Sequence, residues 1–259
     1  MSKNFTSSSR TPPSSHGTFW LYGIHAVKEA LLNPQRHCSR LLLSQEGLLE
    51  QVVIEKAKKL HSSLTIEKAE RDNFLRLFGP HAVHQGAALL VKALEEKGLE
   101  DLDLSAPACY VLVLDQITDP QNIGAILRSA AAFKASAAIV PDQNTPPQSN
   151  PALAKAASGA LEHIPVIRVS NLSRALETLK KWGFWCMGLD ETGETTLEKA
   201  PLDGKIALVL GAEGKGLRRL TRETCDFLVK LPTCPDFPTL NVSNAAAITL
   251  YEVSKKHLS

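Results

Sequence analysis

Three segments of this 259-residue chain combine residue types and spacings that suit chemistry, and each begins where an apolar run gives way to a turn. The first, LDQITDPQNIGAILRSA over residues 114–130, sets Asn122, Gly124 and Arg128 behind an Asp119–Pro120 pair. Asp is a good N-cap and Pro suits the first helical position, so a helix with Ile123, Ile126 and Leu127 toward the core accounts for most of the segment. Asn122 and Arg128, six positions apart, do not share one face at helical period. They could still flank a substrate at the start of that helix.

The second segment, IALVLGAEGKGLRRL over residues 206–220, runs from a strand-like stretch into a Gly-rich turn. A Walker loop needs Gly-Lys-Ser or Gly-Lys-Thr, whereas Gly216 is followed by Leu217. The dinucleotide fingerprint fails as well: Glu213 takes the place of its second glycine after Gly211, and a start at Gly214 puts Arg219 where the third belongs. What remains is a loop that lets backbone approach a ligand closely, with one carboxylate inside it. The third segment is LPTCPDFPTLNVSNAAAITLYE over residues 231–252. Its prolines exclude regular structure up to Pro238, after which Asn241, Ser243 or Asn244 caps an Ala-rich helix. The unpaired N–H groups and positive dipole end of such a helix suit a carboxylate or a phosphate.

The elements that must position these segments read as two α/β regions. After a Ser-, Thr- and Pro-rich tail over residues 1–17, expected to be disordered, comes a small domain over 18–93. It has helices at Ile24–Leu32, Leu48–Leu60 and Asn73–Phe78, and strands at Leu41–Leu43, Leu64–Ile66 and Ala87–Val91. Residues 94–107 have the charge, Gly and Pro content of a linker. In the domain from 108 to 259, Tyr110–Leu114 is a near-continuous apolar run, as expected of a parallel strand buried on both faces. Further strands are expected at Ala137–Val140, Trp185–Leu189, Ile206–Leu210 and Phe227–Leu231. Helices alternate with them at Ile123–Phe133, Leu153–Ser158, Leu172–Trp182, Leu217–Thr221 and from about Ser243 to Lys256. Ligand sites in such sheets lie at the carboxyl ends of the strands.

Composition narrows the function classes. Hydrophobic residues at 44% and charged residues at 22% fit a packed globular protein and exclude a disordered or collagen-like one. No stretch approaches the roughly 20 apolar residues of a membrane span, and the N-terminal tail lacks the apolar middle of a secretory signal. A cytosolic protein is expected. Five scattered cysteines without a CxxC pair argue against a zinc site and a disulfide framework, so they read as reduced and mostly buried. A net charge of +2 leaves nucleic-acid binding open, because a phosphate-binding face can be local.

Together, DPQNIGAILRSA, LGAEGKGL and LPTCPDFPTLNVSNAAA, in this order, resemble the three sequence motifs of the SpoU family of RNA ribose methyltransferases. The likeness runs through residues 108–257. YGIHAVKEALLN and HQGAALLV look like the substrate-binding domain that precedes the catalytic domain in members methylating a guanosine of large-subunit ribosomal RNA. The resemblance implies a parallel-sheet α/β domain with a deep trefoil knot, S-adenosylmethionine as cofactor, homodimers with each active site beside the interface, ribosomal RNA as partner and no metal. By motif position it assigns cofactor contacts to Gly211, Leu231 and Leu240, and functional polar positions to Asn122, Arg128, Glu213, Thr239 and Asn241. Thr239 stands where most members have Ser, and Thr233 with Cys234 departs from the Met and Gly common there. In the family the Arg at the position of Arg128 has been regarded as the base for the 2′-hydroxyl. With a guanidinium pKa above about 12, an electrostatic clamp on phosphate and developing oxyanion is the other reading. Transfer-RNA ribose methylation and a non-catalytic RNA-binding protein remain alternatives. His25 and His84 read as structural or RNA-contacting residues, and Lys56, Lys58 and Lys59 as a solvated helix face that could meet phosphates.

Overall fold

The computed structural model describes residues 17–234, 236 and 239–257, so the tail expected over 1–17 lies, up to residue 16, outside the described residues. The chain divides into two compact units, with the break between Leu94 and Glu95.

The N-terminal unit runs β1 (Thr18–Tyr22), α1 (Ile24–Leu32), β2 (Cys38–Leu43), α2 (Gln51–Leu60), β3 (Thr65–Lys68), α3 (Arg71–Phe78) and β4 (Ala87–Lys92). Its sheet has the order β1-β4-β2-β3. β2 and β3 are parallel, while β4 is antiparallel to both its neighbours. β1 was not expected from sequence, because TFWLY is short, abuts the low-complexity tail and shows no clean alternation. Its aromatic side chains nevertheless have work in the core: Trp20 and Tyr22 pack with Phe78 around the buried Leu42, Ala69, Phe74 and Ala88.

Both motif-like stretches of this unit are tied together by backbone polar groups. Gln85 Oε1 accepts the Ile24 N–H at 3.1 Å and so caps α1, while the Gly23 N–H donates to the Ala87 carbonyl at 3.1 Å. His84 stacks on Phe74 with centroids 4.3 Å apart, and its Nδ1 accepts the Gly86 N–H at 3.1 Å. Burial, and the nearby Arg71 charge after it, push the His84 pKa down. An imidazole spent on an acceptor bond and an aromatic stack has a structural role, one of the two that the sequence left open for it.

The C-terminal unit continues with β5 (Cys109–Asp115), α4 (Pro120–Ala132), β6 (Ala137–Pro141), α5 (Pro151–Ala157), β7 (Val166–Val169), α6 (Leu172–Lys181), β8 (Phe184–Leu189) and β9 (Thr195–Thr196). β10 (Lys205–Gly211), α7 (Arg219–Thr224), β11 (Phe227–Lys230) and α8 (Val242–His257) follow. Seven strands, all parallel, stand in the order β7-β6-β5-β10-β8-β11-β9. Every residue of β5 is buried, as its unbroken apolar run requires of a central strand covered on both faces. Gly124 serves helix packing: a Cβ there would come within 2.5 Å of the Ala156 Cβ and 2.7 Å of the Ala157 N, so α4 can lie close on α5 only because this position is bare.

Several boundaries shift from the sequence reading. β7 and β9 are additional strands, the first interrupted by Arg168 and the second only two residues long. The helix expected at Leu217–Thr221 starts at Arg219 and ends at Thr224, and the strand expected to reach Leu231 ends at Lys230. Within residues 94–107, Leu99, Leu102 and Leu104 pack against the C-terminal core and Lys97 bridges Ile167, because three leucines at these spacings have apolar surface to bury. All five cysteines are free thiols; Cys38, Cys109 and Cys186 are buried.

Candidate active site

Parallel pairing of β10 with β5 sets Gly211 opposite Asp115, so the first and second chemical segments leave the sheet side by side. At the head of α4, Asp119 Oδ1 accepts the Gln121 N–H at 3.0 Å and Pro120 occupies the first turn, which fixes Asn122 just inside the helix. At the head of α8, Asn241 Oδ1 accepts both the Ser243 N–H at 2.9 Å and the Ser243 hydroxyl at 2.6 Å. That cap dictates the orientation of the carboxamide, because only its oxygen can accept from a helix N–H. Nδ2 therefore faces the other way and donates to Asn122 Oδ1 at 3.2 Å and, more weakly, to Glu213 Oε2 at 3.5 Å. One side chain thus joins all three segments, over sequence separations of 119 and 28 residues.

Between Glu213 and the sheet the Gly-rich turn closes on itself. The Gly216 N–H donates to the Ala212 carbonyl at 2.8 Å, and a Cβ on Gly211 would run into the backbone of Gly216 and Leu217. Gly211 is required by that close approach. The turn is also anchored from below by a group that sequence reasoning missed. Asp115, 0% exposed, accepts the Arg218 Nε–H at 2.6 Å and the Arg218 backbone N–H at 2.9 Å. An acid ending an otherwise apolar strand was the available signal; its partner 103 positions away was not readable.

None of the remaining expected residues makes a hydrogen bond to this cluster among the described residues. Leu231 is half-buried immediately after β11, while Thr239 and Leu240 are exposed just ahead of Asn241, Leu240 at 37%. Glu213 is exposed, and Asn122 and Asn241 are half-buried. Arg128 is the residue that the described contacts do not bring in. It sits on α4 about 9 Å further along the axis than Asn122, exposed, with no side-chain hydrogen bond or ion pair among the described residues.

A parallel sheet that ends in a glycine-rich turn and in helix N-termini gathered on one carboxamide is the layout of a nucleotide-handling α/β enzyme. The chain belongs to the SpoU rRNA methylase family, whose model matches residues 109–251, and a second model, for RNA 2′-O ribose methyltransferase substrate binding, matches residues 20–97. The chain is 40% identical over 244 residues to the 23S rRNA (guanosine-2′-O-)-methyltransferase RlmB of Photorhabdus laumondii subsp. laumondii, covering 92% of this chain and 98% of that protein. To the protein of the same name from Escherichia coli strain K12 it is 38% identical over 241 residues, covering 91% and 98%. Among solved structures, the SpoU methyltransferase AviRb from Streptomyces viridochromogenes in complex with the cofactor AdoMet superposes with a TM-score of 0.75 at 24% identity, over 94% of this chain and 91% of that one. That likeness shows the fold.

Residues at the β10 and β11 ends fit the family's cofactor. Gly211 ends β10 in backbone contact with Gly216 and Leu217 too close for any side chain, and Leu240 keeps apolar area exposed ahead of Asn241. Family members use S-adenosylmethionine as methyl donor.

Proposed function

We propose that Asn122, Arg128, Glu213, Thr239 and Asn241 form the polar working face of this enzyme, and that Gly211, Leu231 and Leu240 hold its cofactor. The chain is an S-adenosylmethionine-dependent RNA 2′-O-ribose methyltransferase whose substrate is a guanosine of 23S ribosomal RNA. The observation that carries the site assignment is the hydrogen-bonded meeting of the three segments at Asn241.

S-adenosylmethionine supplies an activated methyl group when bound; the protein must hold a ribose 2′-oxygen in line with it. Asn122 and Asn241, each locked by the other, present carboxamide edges that fix ribose hydroxyls without adding charge. Glu213 accepts from Asn241 and stays exposed for a second donor. The Thr239 hydroxyl keeps the hydrogen-bonding capacity of the Ser more usual in the family. Arg128, exposed and without a charge partner among the described residues, suits a clamp on the neighbouring phosphate that also stabilises negative charge developing on oxygen.

The N-terminal unit, residues 18–93 in this reading, supplies RNA affinity. Lys56, Lys58 and Lys59 support this: all three are exposed on α2, which buries Val53 and Ala57. A homodimer is supported by Ile248 and Tyr251, exposed large apolar residues three positions apart on α8. The family's deep knot agrees with a strand order in which β10 lies between β5 and β8. No described helix is long and apolar enough to cross a membrane, and work on ribosomal RNA fits a cytoplasmic enzyme. Mapping of ribose methylation across ribosomal and transfer RNA, from cells with and without the protein, tests the whole reading. One guanosine of 23S ribosomal RNA should lose its methyl group; an unchanged 23S map would overturn it.

A further inference from the structure

Beside the Asn122–Asn241–Glu213 cluster, on the β6 and β7 side of the sheet, a cleft of about 810 Å³ opens at the carboxyl ends of β5, β6, β7 and β10. It shares Glu213 with the methyl-transfer site but reaches none of Leu231, Thr239 or Leu240. We propose that this cleft is a second RNA subsite, taking the nucleotide next to the methylated one: its phosphate on Lys215, Arg218 and Arg219, its base edge on the wall around Asn144. The inference rests on the RNA methyltransferase reading above and extends it.

Charge is the first argument. Three cations line the cleft against a single carboxylate, Glu213. Asp115 lies beneath, fully buried and already matched by Arg218, and through that bond it fixes where Arg218 projects. Arg218 donates to Asp115 from Nε and from its backbone; its two terminal nitrogens have no partner among the described residues and remain for an anion. Arg219 pairs with Glu223 at 2.9 Å, an exposed i,i+4 contact of the kind that gives way to a phosphate at little cost. The α6 N-terminus adds its dipole, since Asn171, Leu172 and Ser173 line the cleft and Asn171 caps that helix through the Arg174 N–H.

The opposite wall is built and holds an unmet polar atom. Arg168 on β7 donates to the Thr145 carbonyl at 3.3 Å and the Pro146 carbonyl at 2.7 Å, pinning the segment that carries Gln143, Asn144 and Thr145 into the cleft. Thr145 Oγ1 is buried there with no hydrogen-bond partner among the described residues. Gln116 and Asn144, which both line the cleft, hold positive φ, 61° and 64°, a conformation that is uncommon outside glycine and gathers at ligand clamps. The cleft's volume falls in the range of about 300–1,000 Å³ usual for sites of nucleotide-sized ligands.

Two variants of the full-length protein test the subsite. Neither touches the methyl-transfer residues: Lys215→Ala with Arg219→Ala, and Asn144→Gly, which keeps the φ and removes only the carboxamide. The probe is a 23S ribosomal RNA fragment carrying the guanosine identified by methylation mapping. With the double variant, RNA affinity should fall about tenfold, and the slope of log affinity against log salt should flatten by about 0.7, for one lost single-strand phosphate contact. S-adenosylmethionine affinity and single-turnover methylation at saturating RNA should stay at wild-type values. Asn144→Gly should weaken binding a fewfold with an unchanged slope, and the loss should depend on the identity of the neighbouring base. Wild-type affinity and slope in both variants, while the wild-type protein methylates the fragment, would overturn the subsite alone. A wild-type protein that binds the cofactor but transfers no methyl group to RNA would overturn the functional reading, and the subsite with it.

Discussion

The two units use their motif residues in opposite ways. In the N-terminal unit the polar groups of the motif-like stretches are consumed by the fold: Gln85 caps α1, and His84 stacks on Phe74 while accepting from Gly86. In the C-terminal unit Asn122, Glu213 and Asn241 touch one another but stay half-buried or exposed, and Arg128 touches nothing polar among the described residues. A motif in sequence therefore marks either a backbone problem solved or a ligand awaited, and only burial and hydrogen-bond saturation tell these apart. Substitutions in the first unit should lower stability and spare turnover; those in the second should do the reverse.

One residue pair in the C-terminal unit should break that rule, and it carries the largest expected effect. Arg218→Met keeps the apolar stem but strands the buried Asp115 carboxylate, which should cost about 3–5 kcal/mol of stability. Urea unfolding reads the loss. Adding Asp115→Asn should restore part of it, because no buried charge is then left unpaired; a double variant no better than the single one would remove the ion pair from the account.

Arg128 marks the other extreme. Its exposure, with no hydrogen-bond or ion-pair partner among the described residues, predicts that Arg128→Ala leaves the thermal midpoint and cofactor affinity unchanged while single-turnover methylation falls about a hundred- to a thousandfold. Arg128→Lys separates a clamp from a base. A clamp predicts low activity from pH 7 to 10 together with weakened RNA binding, whereas a base predicts activity that climbs with pH. Wild-type turnover in Arg128→Ala would move the active site elsewhere.

Asn241 stands between the extremes, since its two ends do different things. Asn241→Ala should lose about 1 kcal/mol of helix capping and about tenfold in turnover, the worth of one hydrogen bond. Asn241→Ser keeps a capping oxygen and drops Nδ2, so calorimetry should show stability regained and methylation assays should show turnover still low. Recovery of both would make the carboxamide a cap and nothing more.

What was legible in sequence follows the same physical divide. Strand centres of the C-terminal sheet could be read because parallel strands buried on both faces are unbroken apolar runs, as in β5 and β10. β7 escaped because Arg168 interrupts VIRV, and its reason for being there, the carbonyls of Thr145 and Pro146, lies in another loop. The three chemical segments could be named because each breaks a local rule of strand or helix. Asp115 could not, because an acid at a strand end looks like the start of a turn until its burial and its distant partner are seen. Nor could the choice of cap among Asn241, Ser243 and Asn244, since each explains the helix start locally; the bonds from Ser243 single out Asn241.

The smallest effect belongs to His84, where the N-terminal half of the comparison can be checked by titration. Burial first, and the Arg71 charge second, hold its pKa below the ordinary value near 6.5. The folded unit therefore favours neutral imidazole, and its Nδ1 must stay unprotonated to accept from Gly86. The sign follows from linkage. A depressed folded pKa means that the unfolded chain binds the proton more readily, so the contribution to stability is complete above pH 6.5. It is lost as the pH falls below that, toward the lowered folded value. Thermal unfolding of the full chain from pH 7.5 to 5, with hydrogen exchange at Gly86–Leu89 to identify the N-terminal unit, should show that unit weakening on acidification. His84→Phe keeps an aromatic ring over Phe74 and has no proton to gain. It should cost about 1 kcal/mol at pH 7.5 for the lost acceptor and flatten the pH dependence of this unit, with methylation of 23S ribosomal RNA unchanged. If methylation falls in His84→Phe while the unit stays folded, the imidazole serves RNA rather than the fold. The division between a saturated first unit and an open second one would then fail at the residue that defines it.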